Sequence, residues 1–146
     1  MAKSDFKFAW PFRVRYAEVD SQKVVFNAHY LTYFDTAITE YFQDLPFDYM
    51  GRVEVTGEDF HTVKTLIEYK QPILFNEDID VYVRVSRVGR SSLTFLLEIH
   101  PQGTDDLRAS GEVVWVNTDQ TTHLSVEIPD ELKDLLCSFE GVSITS

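Results

Sequence analysis

YAEVDSQKVVFNAHYLTYFD, residues 16–35, decides how the chain is read, because the period of its apolar positions changes inside this stretch. Upstream, Phe8, Trp10, Phe12, Val14 and Tyr16 alternate with Ala9, Pro11, Arg13, Arg15 and Ala17, as in a half-buried strand. Pro11 places the early part of that strand on an edge or at a bulge. Downstream, Tyr30, Phe34, Ala37, Ile38, Tyr41 and Leu45 fall at helical spacing, which predicts a helix over 28–44 with Asn27 as N-cap and Pro46 beyond its end. Leu31, Tyr33 and Phe42 widen the apolar face, so sheet is expected to cover this helix on several sides. Between the two patterns stands one carboxylate, Asp20.

The rest of the chain reads as strands. HTVKTLIEY (61–69) is closed by Gln71 and Pro72; Ile79, Val81, Val83 and Val85 alternate with polar partners. Val88, Gly89 and Arg90 suit a hairpin turn, after which Leu93, Phe95, Leu97 and Ile99 alternate again. A second turn at 101–106 leads to a strand over 107–117, and Leu132, Leu135, Leu136 and Phe139 mark a short terminal helix. Strand, long helix, then four strands in antiparallel succession predicts an α+β fold. The expectation is one domain, 1–146, in which a curved antiparallel sheet of about five strands wraps a long central helix. Such a sheet leaves edges to protect, so a homodimer or homotetramer is expected.

Composition narrows the function. With 13 basic against 24 acidic side chains the formal net charge is -11, which argues against general nucleic-acid or anionic-membrane binding. No apolar run is long enough to span a bilayer, and MAKSDFKFAW lacks the apolar core of a signal peptide, so a cytoplasmic protein is expected. Cys137, the only cysteine, falls in the helical pattern and reads as an inert thiol. His61, His100 and His123 lack metal-like spacing. Lys64, Lys70, Arg84, Arg87 and Arg90 concentrate basic charge in the middle of the chain, where a small polyphosphate could bind.

Asp20 precedes Asn27, the expected N-cap, by seven residues. A helix opens with backbone N–H groups that lack intrahelical partners, here those of Asn27, Ala28 and His29, at the positive end of its dipole. Such groups suit a developing oxyanion, while a neighbouring carboxylate attacks the carbonyl carbon or activates water. The same spacing also fits an ordinary turn aspartate.

RVRYAEVDSQKVVFNAHYLTYFDTAITEYF, FHTVKTLIEYKQPILFNEDIDVYVRV and VGRSSLTFLLEI together resemble the hotdog-fold acyl-CoA thioesterases of the 4-hydroxybenzoyl-CoA thioesterase family, over roughly residues 10–120. The resemblance implies hydrolysis of an acyl-CoA, with Asp20 as nucleophile or general base and the N–H of Asn27 as the main oxyanion donor. It implies that Arg90, Ser91 and Ser92, and with them Arg87, meet the phosphates or pantetheine arm of coenzyme A, in a site that draws on two subunits. Ala28, His29, Tyr30 and Phe34 would line the site, and Asp35, deeper on the helix, would receive a polar group of the acyl tail. No metal or organic cofactor is implied.

Two positions depart from the family pattern. Lys23 stands where relatives commonly have glycine, which strains the loop if that site needs positive φ. Val24 stands where some related thioesterases place a second catalytic histidine, which weakens an alternative reading as an enoyl-thioester hydratase or dehydratase. A third reading, a non-catalytic acyl-CoA-binding module, would fit an altered loop.

Overall fold

The structure, a computed structural model, describes residues 3–145. Met1, Ala2 and Ser146, which include the ends of the expected domain and the start of the stretch read for a signal peptide, lie outside the described residues. The elements are β1 (Phe8–Arg13), α1 (Asn27–Asp44), α2 (Tyr49–Thr56), β2 (Glu58–Tyr69), β3 (Asp78–Val88), β4 (Ser92–Pro101), β5 (Ala109–Asp119) and α3 (Asp130–Glu140). The strands form a five-stranded, curved antiparallel sheet in the order β1-β3-β4-β5-β2, the α+β architecture expected for a hotdog fold. β2 therefore lies beside β5 and is not the neighbour of β3, a correction to the simple succession read from the sequence. The link over 70–77 contains Pro72 and no two-residue hairpin turn, so it can carry the chain away from β2's edge.

Alternation sets the faces of β3 and β4. Ile79, Val81, Val83 and Val85 are fully buried, as are Leu93, Phe95 and Ile99, with Leu97 nearly so. β1 is an edge strand, and Pro11, opposite Asp80, sits where a missing N–H is tolerated. It ends at Arg13, three residues before the alternating pattern does. There the Val14 N–H leaves the ladder for the Glu77 carbonyl, and Tyr16–Glu18 form a turn of 3-10 helix that leaves Tyr16 exposed.

α1 buries Tyr30, Tyr33, Phe34, Ala37, Ile38, Tyr41 and Phe42, an i, i+3, i+4 stripe from its first turn onward, and Leu45 just past its end is buried too. Leu31 is exposed, so the apolar face is narrower than read. α2 has no counterpart in the sequence reading. YMGRVEVT combines glycine with β-branched residues and buries no stripe, and its ends are set locally. Asp48 accepts the Gly51 N–H at 3.1 Å, and Gly57 closes the helix at φ 70°.

The chain divides into two compact units. One comprises Met1–Tyr41 as far as described, Ile67–Arg84 and Leu97–Gly111; the other comprises Phe42–Leu66, Val85–Leu96 and the described part of Glu112–Ser146. In the second unit the Phe42 ring stacks on Trp115 with centroids 5.6 Å apart, and Phe95 meets Trp115 edge-on at 5.0 Å. α3 closes this unit with Leu132 and Leu136 buried, and Glu140 accepts the Val85 N–H at 2.8 Å. Burial and the nearby Asp134 push the Cys137 thiol up, in keeping with an inert role.

Candidate active site

All of the candidate catalytic elements belong to the first unit. Turn chemistry builds the Asp20 loop. Val19 and Val25 form an antiparallel bridge, the Asp20 N–H donates to the Val24 carbonyl at 3.0 Å, and the Lys23 N–H donates to the Asp20 carbonyl at 2.9 Å. This is a tight hairpin whose fourth residue must be left-handed, and Lys23 has φ 63°. Lysine thus occupies a glycine conformation, as the departure from the family pattern anticipated. Asp20 Oδ1 accepts the Gln22 N–H at 2.8 Å. Oδ2 has no partner among the described residues, and the side chain is exposed. The turn and catalytic readings therefore concern different oxygens of one carboxylate.

The hairpin leads directly into α1. The Phe26 N–H donates to the Glu18 carbonyl at 2.9 Å, and the Phe26 carbonyl accepts the His29 N–H at 3.0 Å. Phe26, not Asn27, thus takes the capping position, and the His29 amide is already satisfied. The free donors reduce to Asn27 and Ala28, whose N–H groups find no acceptor among the described residues and which are both exposed. His29 is half-buried, its ring edge-on to Phe26.

Two clefts flank this junction. One, of about 290 Å³, is lined by Tyr16, Val19, Asp20, Ser21, Lys23 and Phe75, with Tyr16 and Phe75 edge-to-face at 5.9 Å. The other, of about 260 Å³, is lined by Val24, Val25, Asn27, Tyr30, Tyr69, Lys70, Gln71 and Pro72. Asp20 and Asn27 border different clefts of the single chain, with the hairpin contributing to both. Burial raises the Tyr30 hydroxyl above its usual range. Arg108 anchors that wall. Its carbonyl accepts the Lys70 and Gln71 N–H groups, and its guanidinium reaches the Pro72 carbonyl at 2.6 Å and Glu77 at 2.7 Å.

Phe34 has no exposed surface and borders neither cleft. Asp35 lies on the open side of α1, yet loss of solvation raises its carboxyl above the ordinary range. Arg87, Arg90, Ser91 and Ser92 belong to the second unit, at the β3–β4 hairpin. Arg87 and Arg90 are exposed. The Gly89 N–H donates to the Ser92 carbonyl at 2.8 Å, and a Cβ on Gly89 would stand 2.8 Å from the Ser92 hydroxyl. Lys64 and Lys70, read as part of the basic cluster, pair with Glu112 and Glu68. Among the described residues no group of His, Cys, Asp and Glu could hold a metal ion, and no helix is long and apolar enough to cross a membrane.

Sequence reasoning missed Glu18. It is 5% exposed and accepts from the Arg15 N–H at 2.9 Å, Arg15 Nε at 2.6 Å and the Tyr33 hydroxyl at 2.8 Å. Burial pushes its carboxyl up, but the hydrogen bonds from Arg15 and Tyr33 outweigh that and hold it below the ordinary range. The available signal was an acid in phase with the apolar series that ends at Tyr16.

The family model described as the thioesterase-like superfamily matches residues 14–136. The acyl-CoA thioesterase YbgC of Haemophilus influenzae is 35% identical over 92 residues, 62% of this chain and 67% of its own. The acyl-CoA thioester hydrolase YbgC of Escherichia coli is 26% identical over 92 residues, 63% and 68% of the two chains. Among solved structures, a Thermus thermophilus thioesterase complexed with coenzyme A and Zn superposes with TM-score 0.80 at 26% identity, covering 96% of this chain and 98% of that one. The chain belongs to the thioesterase-like superfamily, and its chemistry is thioester hydrolysis.

Lys23→Gly removes a side chain from a left-handed position and is expected to raise stability by roughly 0.5–1 kcal/mol in urea denaturation. Glu18 has a second measurable signature. A folded-state value held below the unfolded one stabilises the protein above the ordinary glutamate value, near 4.5, and that contribution disappears as pH falls through the folded value. The stability difference between wild type and Glu18→Gln, measured by thermal melts, is therefore expected at pH 7 and should shrink steadily as the solution is acidified below that value.

Proposed function

We propose that the protein hydrolyses acyl-CoA thioesters, with Asp20 as the catalytic carboxylate and the N–H groups of Asn27 and Ala28 as the oxyanion hole. The observation that carries this reading is a hairpin that bears an exposed, half-unpartnered carboxylate and leads directly into a helix start whose first two amides lack acceptors among the described residues. The acyl-CoA specificity carried in the names of the Haemophilus and Escherichia relatives supports the substrate class. In this reading the thioester lies across the hairpin, its carbonyl oxygen toward the α1 amides and its carbon toward Asp20 Oδ2.

Two routes use the same groups. As nucleophile, Oδ2 adds to the carbonyl carbon, the C–S bond breaks as the coenzyme A thiolate departs, and water then cleaves the mixed anhydride. As general base, Oδ2 takes a proton from water, whose oxygen adds to the carbon before the C–S bond breaks. Either way negative charge gathers on the carbonyl oxygen, where the amides and the helix dipole stabilise it. The exposed Arg87 and Arg90 supply charge-assisted hydrogen bonds for the nucleotide phosphates, with Ser91 and Ser92 beside them in sequence.

The assembly proposed is a homodimer or homotetramer. β2 is a 12-residue edge strand whose exposed side chains include Val63, Leu66 and Tyr69, a template that a second copy can cover.

Purified protein is expected to release free coenzyme A from members of an acyl-CoA panel, read with a thiol reagent. Asp20→Asn should lower kcat about 10²- to 10⁴-fold while keeping the wild-type melting temperature within a few degrees. Turnover that survives this substitution sinks the assignment, and loss of enoyl absorbance from crotonyl-CoA without thiol release would favour a hydratase. Separately, Arg90→Ala should raise KM with little change in kcat, and the gap between variant and wild type should narrow as salt is added.

A further inference from the structure

We propose that Glu18 is the positioning residue of this site, a buried carboxylate that locks the Asp20 hairpin against the start of α1. The inference rests on the thioesterase reading above and adds a residue to it.

Glu18 touches α1 at two levels. Its carbonyl accepts the Phe26 N–H, one residue ahead of the Asn27 amide, and its side chain accepts the Tyr33 hydroxyl in the helix's second turn. A single contact would leave the hairpin free to swing about it; two contacts along the helix axis remove that freedom. Arg15 supplies the third constraint, donating its main-chain N–H and its guanidinium to the same carboxylate. Asp20 follows two residues later, at the tip of the hairpin whose return strand enters the helix. The position of the Asp20 carboxylate relative to the Asn27 and Ala28 amides is thus referred to one residue, through both its main-chain carbonyl and its side chain.

Stability alone does not account for this arrangement. Burying the Glu18 carboxylate costs solvation that a single ion pair to the exposed Arg15 only partly returns, and apolar residues could supply the same cohesion without a charge here. Hydrogen bonds in fixed directions provide geometry, and catalytic groups tolerate only about 0.5 Å of misplacement. A shift of about 1 Å costs on the order of 10²-fold in rate.

The test uses two variants that change little else. Glu18→Gln keeps the shape and removes the charge; Tyr33→Phe removes only the hydroxyl. In each, kcat with an acyl-CoA should fall about 10- to 100-fold at a temperature well below the melt, with KM unchanged. Glu18→Gln combined with Asp20→Asn should be no slower than Asp20→Asn alone, because Glu18 acts through that site. Hydrogen exchange of the Phe26 amide should accelerate about tenfold in both single variants. Full kcat in both variants of an active enzyme, or a Phe26 amide that exchanges at the wild-type rate, overturns the inference. Should the wild type cleave no thioester in the panel, the functional reading falls, and the Phe26 exchange rates alone then decide whether the clamp exists. If Glu18→Gln fails to fold, Tyr33→Phe decides the matter by the same two measurements.

Discussion

The first two amides of α1 have no acceptor among the described residues, and the local structure is organised around that fact. A buried N–H without a partner costs about 1–3 kcal/mol, so such groups stay wet or meet a ligand. Asn27 and Ala28 stay exposed, whereas the next amide, that of His29, is closed off by the Phe26 carbonyl. What could move these amides is tied down. Phe26 is held by Glu18, Val25 by Ile73, and the 70–72 wall by Arg108. Two donors are left without an acceptor among the described residues while their surroundings are hydrogen-bonded in place, and under the proposed function that is the condition in which oxyanion stabilisation needs no reorganisation.

The hairpin ahead of the helix breaks a local rule in the same place. Lys23 adopts a conformation that favours glycine, and Asn76, close in space through the Phe75 N–H to Lys23 carbonyl bond, also has positive φ. Strain of order 1 kcal/mol at such a position persists only where the surroundings over-determine it. Here they do, since the hairpin is bonded to itself at Asp20 and Val24 and to the 73–75 segment on its other side. The Gln22 contact at Oδ1 fits the same scheme: it orients the Asp20 carboxylate and spares the second oxygen. A turn residue and a reactive residue are therefore compatible descriptions of this aspartate.

Periodicity made most of the fold legible. The α1 stripe and the alternation of β3 and β4 were readable because each buries a continuous face, and burial is what the pattern encodes. α2 was not, because it buries no stripe and is held by an Asp48 cap and a left-handed Gly57 that only the backbone reveals. The pairing of β2 with β5 depends on long-range contacts that no local window contains. In the site, Asp20 was visible as an acid at a change of period. Glu18 was harder to see, since its importance lies in a hydrogen bond to Tyr33 fifteen residues away, and Tyr33 itself looked like core. Tyr16 fell out of the strand pattern because Glu18 captures the Arg15 amide and turns the chain early.

A net charge of -11 and an anionic substrate look incompatible until distance is considered. At physiological ionic strength the Debye length is about 8 Å, so most of the acidic surface is screened from a phosphate held at contact distance. Local partners then decide, and they are unevenly paired. Lys64, Lys70 and Arg108 are engaged with carboxylates, as Arg13 is with Asp78. Arg87 and Arg90 stand exposed at the β3–β4 hairpin, and Arg90 faces competition from Glu127, whose carboxyl is held below its ordinary range chiefly by Lys133 and to a lesser degree by Arg90. Because Lys133 already answers Glu127 at 2.9 Å, the arginine is only weakly committed to it. Under the proposed function the acidic background then slows encounter with the substrate more than it weakens the bound state, and a cation freed by an existing ion pair does the binding.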